Sequence, residues 1–239
     1  MQHSQKIAFD FGEVLFRKSK RSKRLRIQVH PSNGVVVSVP EPMTYERAIN
    51  FVIEKELWIR KSLAKAAKTT HKTSIFDEET RFKTYSHSVI FEAHMRQTLR
   101  MNVAGDIVTV YYPHTVDIRH ERIQEFARNA ILRVLRFEAK NYLPARTREL
   151  AQQFKLPVGE VKVRNNKTRW GSCSAKNNIN LNIHLMRLPE ALIDYVIYHE
   201  LAHIKEKNHS KKYWDLLERM LPGARKLDKQ LNNYHLVYW

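Results

Sequence analysis

The stretch His199-Glu200-Leu201-Ala202-His203-Ile204-Lys205-Glu206-Lys207-Asn208-His209 sets the reading of this chain. Its first and fifth residues are imidazoles at positions i and i+4, which share one face of an α-helix about one turn apart. Glu200 lies about 100° further round the same helix, close enough to touch a water held by the imidazoles and badly placed to be a ligand itself. His209 then offers a third imidazole just past the helix end. Three such nitrogens with a neighbouring carboxylate are the donor set of a catalytic zinc site that keeps one position open. The spacing predicts a helix from Glu190 to about Lys207, with Pro189 at its start. A second helix is predicted from the cap residue Ser210 to about Leu221, ended by Pro222-Gly223. Asn208 is expected in the left-handed conformation that closes helices, which leaves His209 at the corner between the two. A glutamate on the later helix, Glu218, is the alternative third ligand.

Upstream, Ile179, Leu181, Ile183 and Leu185 alternate with polar residues and predict a strand from Ile179 to Met186. It is expected at a sheet edge, where an extended substrate can pair with it through main-chain bonds. Before it stands Arg169-Trp170-Gly171-Ser172-Cys173-Ser174, in which Gly171 allows a close backbone approach and Trp170 can wall a pocket. A nucleophilic role for Cys173 needs an imidazole base and an activated thiolate, and a metal already accounts for the histidines. A closed, structural metal site needs a fourth protein ligand, for which Cys173, His184 and His235 are the available types. Tyr213, Tyr234 and His235 are the candidates for stabilising an oxyanion.

Residues 7–40 read as strands: Leu25, Ile27 and Val29 alternate with polar residues, and Val35 to Val39 form a β-branched run after a turn signal at 31–34. Thr44 caps a predicted helix through Lys68, with Ala48, Phe51, Val52, Lys55 and Ile59 at helical spacing and Trp58 on or near the same stripe. Residues 69–80 read as a connector, and strands are predicted near 81–92, 95–103 and 106–112. A long helix is predicted from about His120 to Phe154 with a break or kink at Pro144. A strand follows near Val161-Lys162-Val163. The whole is an α+β chain: a β-rich portion over 1–120 with one helix at 44–68, and a metal-binding portion over 121–239, the two forming one continuous catalytic unit. No internal repeat is visible.

The chain has 239 residues and 43% hydrophobic composition, enough for a sizeable core. Its one cysteine, Cys173, rules out an intrachain disulfide and points to a reducing cytoplasm. No run is long and apolar enough for a signal peptide or membrane span. The formal charge of +18 makes a polyanion such as nucleic acid a plausible non-specific partner. Seven of the ten residues from Arg17 to Arg26 are basic, with no aromatic residue among them to stack on bases.

Thr168 to Ser174, Ile179-Asn180-Leu181-Asn182, Asp194-Tyr195-Val196, the helix His199 to His203, and Asn208-His209-Ser210 with Trp214 together resemble the YgjP-like metallopeptidase family. Val39-Pro40, Phe51-Val52, Lys55 and Trp58-Ile59 extend the resemblance into the N-terminal part. It implies a zincin-type fold, one zinc ion at His199, His203 and His209, and Glu200 as catalytic acid and base. It brings Trp170, Gly171, Ser172, Asn180 and Asn182 into the candidate substrate-binding set. It also implies kinship with SprT-like proteases, which act on DNA-bound proteins. The expected activity is zinc-dependent peptide hydrolysis on a protein or peptide substrate, with another divalent metal as an option. The alternatives are a nucleic-acid-binding protein with a structural or vestigial metal, and a hydrolase of other amides.

Overall fold

A computed structural model describes residues 4–30, 34–68 and 75–236. The chain divides into two compact units, Met1–Lys72 and Thr73–Trp239. In the first, four strands, β1 (Ser4–Phe9), β2 (Gly12–Ser19), β3 (Arg26–His30) and β4 (Gly34–Pro40), form a sheet in the order β1-β2-β4-β3. β2 and β4 run parallel, and the outer pairs are antiparallel. Alternation turns Val14 and Phe16 of β2 and Val35, Val37 and Val39 of β4 into one core. Helices α1 (Tyr45–Glu54) and α2 (Glu56–Lys68) cover it with Ala48, Val52 and Ile59. Each such fully buried branched side chain contributes about 1.5–3 kcal/mol. Thr44 caps α1 as expected, accepting from the Arg47 N–H at 3.3 Å. The single helix predicted over 44–68 is interrupted at Lys55. Trp58 is 51% exposed beside the fully buried Ile59, so it stands off the apolar stripe. Apart from Gly34, the turn expected at 31–34 lies outside the described residues, as does the connector over 69–74.

In the second unit β5 (Phe82–Lys83), β6 (Ser88–His94), β7 (Arg100–Ala104) and β8 (Ile107–Pro113) form a sheet in the order β5-β6-β8-β7. The pairing senses are those of the first sheet, with β6 and β8 parallel between two antiparallel partners. Further details recur: a left-handed glycine stands at the start of β4 (Gly34, φ 64°) and two residues before β8 (Gly105, φ 60°). Pro40 and Pro113 end these strands. Glu46-Arg47 and Glu121-Arg122 stand at the start of the helix that follows. The two sheets therefore share one strand order and one set of pairing senses.

Helix α3 (Glu121–Gln153) buries Ile123, Ala127, Ala130, Ile131, Val134 and Leu135 of the stripe expected from periodicity, while Phe126 of that stripe is half-buried. It runs unbroken through Pro144. Proline there removes one main-chain donor, and burial of Leu143, Thr147 and Leu150 in the surrounding turns holds the helix together. The strands from 82 to 113 share one core with α3 and the histidine-bearing helix.

A third sheet holds β9 (Val161–Arg164), β10 (Gly171–Cys173) and β11 (Ile179–Asn182) in the order β10-β11-β9. β11 was expected at the edge and is central, antiparallel to β10 and parallel to β9. It also ends at Asn182, where the side chain accepts from the His184 N–H at 3.1 Å and opens a short 3-10 helix over Ile183–Arg187. Helices α4 (Glu190–Lys205), α5 (Lys211–Met220) and α6 (Ala224–Leu231) complete the unit. Arg146 of α3 clamps Asp194 of α4 through two bonds of 2.9 and 2.5 Å, which fixes the helix bearing the histidines. Among the described residues no helix is long and apolar enough to cross a membrane.

Candidate metal centre

α4 carries His199 and His203 one turn apart because its buried side, including Leu192, Val196 and Leu201, packs into the core. The helix stops at Glu206, whose backbone is extended (φ −118°, ψ 102°). Among the non-glycine described residues only Lys155 and Asn177 have positive φ, so Asn208 does not make the left-handed turn expected of it. Ser210 caps α5 by accepting from the Tyr213 N–H at 3.4 Å. These two ends leave His209 between the helices. The ligand atoms of His199, His203 and His209 lie within 4.8 Å of one another. The Nε2 atoms of His199 and His209 are 3.0 Å apart, near the roughly 3.3 Å that two nitrogens adopt on a tetrahedral ion 2.0–2.1 Å from each.

The far sides of the rings are held as metal ligands usually are. The Glu206 carbonyl is 2.9 Å from His203 Nδ1. The Tyr195 hydroxyl is 3.4 Å from His199 Nδ1 and donates to Asp228 Oδ1 at 2.8 Å. Tyr213 lies stacked on His203 with ring centres 4.7 Å apart, and its hydroxyl donates to the His199 carbonyl at 3.2 Å. Burial, with the neighbouring imidazoles adding, pushes His199 down to about 3. Burial also lowers His203. Both rings are therefore neutral near pH 7, the form that binds metal. The three histidines fit a divalent ion by donor type and spacing.

Glu200 is 5% exposed and faces β10. Burial raises its carboxyl to about 8, with Arg169 working in the opposite direction. A Cβ on Gly171 would fall 2.5 Å from Glu200 Oε1, so only glycine lets the strand lie against the carboxylate. Cys173 sits on the same face of β10; burial raises its thiol, which keeps it protonated.

The other candidates are spread over different surroundings. Ser172 alternates to the opposite face of β10 from Gly171 and bonds across to Asn180 at 3.4 Å. Both line a polar hollow of about 420 Å³ with Arg164, Lys167 and Arg169. Asn182 is fully buried and donates to the carbonyls of Asn166 and Arg169, which shapes the loop before β10. Trp170 packs half-buried against the core. Glu218 accepts from the N–H groups of Gly223 and Arg225, both at 2.9 Å, and so caps α6. Those bonds hold its carboxyl below the usual range. Among the described residues no fourth histidine, cysteine or acid joins the three imidazoles, and His184 is buried 3.4 Å from Arg187 instead. Tyr213 is engaged with His199, while Tyr234 and His235 are exposed beyond α6.

Sequence reasoning missed Asp228 and the helix that carries it. The alternation Ala224, Leu227, Leu231 was a usable signal at helical spacing. It also missed β10 as an edge, since three residues are too few to show a period.

A family model described as YgjP-like, metallopeptidase domain, matches residues 23–234. The UTP pyrophosphatase of Escherichia coli K12 is 32% identical over 62 residues, which are 26% of this chain and 37% of that protein. The match thus spans little more than a third of that relative. Two metallopeptidase zymogens align with 38% of the chain. Abylysin of Pyrococcus abyssi does so at 26% identity, TM-score 0.33 and 92% of its own length. Jannalysin of Methanocaldococcus jannaschii does so at 22% identity, TM-score 0.35 and 93% of its length.

Proposed function

Because the chain belongs to the YgjP-like metallopeptidase domain family, we propose that it hydrolyses peptide bonds at the histidine cluster, with Glu200 as general base. The observation that carries this reading is the convergence of His199, His203 and His209 within 4.8 Å beside a buried carboxylate. When bound by these three residues, a divalent ion, zinc first among them, supplies Lewis acidity at the cluster. Tyr195 and the Glu206 carbonyl hold the imidazoles of His199 and His203 in orientation. The charge of a bound cation would oppose the burial that raises Glu200 and favour its ionised form, in which it takes a proton from the attacking water and passes it to the leaving nitrogen. Gly171 keeps β10 against that carboxylate. The free edge of β10, in the place first expected of β11, pairs with an extended peptide. The single cysteine agrees with action in a reducing, cytoplasmic setting.

Glu200→Gln tests the role directly. Expected is a 10²- to 10⁴-fold loss of peptide hydrolysis with unchanged metal content; full activity in the variant removes the general base.

One observation favours a second reading, hydrolysis of a phosphoanhydride. The hollow lined by Arg164, Lys167 and Arg169 offers three cations close to β10, and the similar E. coli protein is a UTP pyrophosphatase. Assaying a casein-type protein and UTP in parallel separates the two. Pyrophosphate release that vanishes in Glu200→Gln, with the protein left uncut, selects the second.

A further inference from the structure

Away from the histidines, α3 and the edge of the β5–β8 sheet enclose a hollow of about 560 Å³, within the range of roughly 300–1,000 Å³ typical of ligand pockets. Its floor is apolar, with Met101 and Val103 from β7. Phe137 of α3 stands over it, 60% exposed. Its exposure matters here because the ring opens onto the hollow among cations rather than standing alone on the surface. The ring has an aromatic neighbour. His87 meets it at 68° with centres 6.4 Å apart. His87 is itself fixed at 2.7 Å by Glu138, a buried carboxylate that also accepts from Thr84 and from the Ser86 N–H.

Around this ring stand Arg133, Arg136 and Lys140, all exposed. Arg133 and Lys140, four residues before and three after Phe137, share its side of the helix, and Arg136, about 100° further round, reaches the same hollow from the adjoining face. From Arg133 to Lys140 is about 10 Å along the axis at 1.5 Å per residue. No acid lines the hollow, and among the described residues none of the three cations forms an ion pair.

We propose that this hollow binds single-stranded nucleic acid, with a base stacked on Phe137 and successive phosphates on Arg133, Arg136 and Lys140. Cations alone suit any polyanion, and the formal charge of +18 favours one in general. An exposed aromatic beside them is the added element of a stacking platform. A duplex keeps its bases inside and cannot offer one to Phe137. The basic run from Arg17 to Arg26 holds no aromatic residue, so it lacks this element. The site is independent of the proposed hydrolysis.

The test is fluorescence anisotropy of the full chain with a labelled 12-nucleotide single strand, the matching duplex, and a 12-residue polyglutamate, titrated from about 50 to 250 mM salt. Replacing Arg133, Arg136 and Lys140 together by glutamine is expected to flatten the plot of log K against log salt by about 2, at roughly 0.7 per phosphate lost. Phe137→Ala is expected to weaken single-strand binding roughly 5- to 150-fold at an unchanged slope, and to leave duplex binding unchanged. Phe137→Leu keeps the apolar volume without the stacking face, and is expected to lose binding as Phe137→Ala does. Wild-type binding in all three variants overturns the proposal. So does loss of binding only when Lys20, Arg21, Lys23 and Arg24 are neutralised. Polyglutamate binding as tight as that of the single strand, and indifferent to Phe137, overturns it in favour of an acidic protein partner.

Discussion

Replacing Gly171 with alanine probes the contact on which the proposed centre is built. The added Cβ would lie 2.5 Å from Glu200 Oε1, 2.7 Å from Cγ and 2.9 Å from Cδ. Comfortable carbon contacts begin near 3.5 Å, so strand or side chain must give way by about 1 Å. Glu200 is 5% exposed and has little room to swing. Overpacking of this kind costs about 1–3 kcal/mol. At roughly 2–4 °C per kcal/mol in a domain of this size, Gly171→Ala is expected to unfold about 2–12 °C below the parent. A shift of about 1 Å at the carboxylate is expected to lower hydrolysis about 10²-fold as well. Glu200→Ala removes all three contacted atoms, so adding Gly171→Ala to it is expected to cost less than about 0.5 kcal/mol. Calorimetry on the parent, both single variants and the double variant measures this coupling. An unshifted melting temperature in Gly171→Ala refutes the reasoning. An equal loss in the Glu200→Ala background also refutes it, since the strain would then lie elsewhere in β10.

Tyr195→Phe and Asp228→Asn are each expected to weaken metal binding about 10- to 100-fold, measured by competition with a chelator; unchanged affinity in both means that Tyr195 does not orient His199. Glu218→Ala is expected to lose about 0.5–2 kcal/mol through the cap of α6 and to keep a full complement of metal. Loss of metal in that variant makes Glu218 a ligand after all. Burial first, with Arg187 adding, pushes His184 down to about 4 from an ordinary 6.5. The unfolded chain therefore takes up this proton first as pH falls. The contribution to stability is full above about pH 6.5 and declines by about 3 kcal/mol towards pH 4. His184→Leu is expected to flatten that part of the stability curve against pH, and parallel curves for parent and variant refute the assignment.

The local features of the site were legible in the sequence because they depend on near neighbours. Helical spacing puts His199 and His203 on one face, and a serine before a helical run caps it, as Ser210 does for α5. Even the corner position of His209 followed from two helix ends, although Asn208 reaches it without the left-handed turn. Partner choice in the sheet was not legible. β11 has the alternation of an edge strand, yet β9 and β10 enclose it. Nothing within its own residues records whether one neighbour or two will bond to it.

By itself, then, the sequence determined the three histidines of the proposed donor set, the helix that aligns two of them, most strands of the two larger sheets and an α+β chain. Short-range periodicity and capping carry all of these, since each arises within a few turns or strand pairs. Tertiary structure alone decided that β10, only three residues long, is the free edge beside Glu200, and that Gly171 must be glycine there. It alone brought Asp228 to Tyr195 behind His199, and Arg133, Arg136, Phe137 and Lys140 to the rim of one hollow. It also exposed the strand order that the two larger sheets share. The physical reason is common to these cases. Each is a contact between segments far apart in the chain, set by how whole elements pack and recorded in no local pattern of residues.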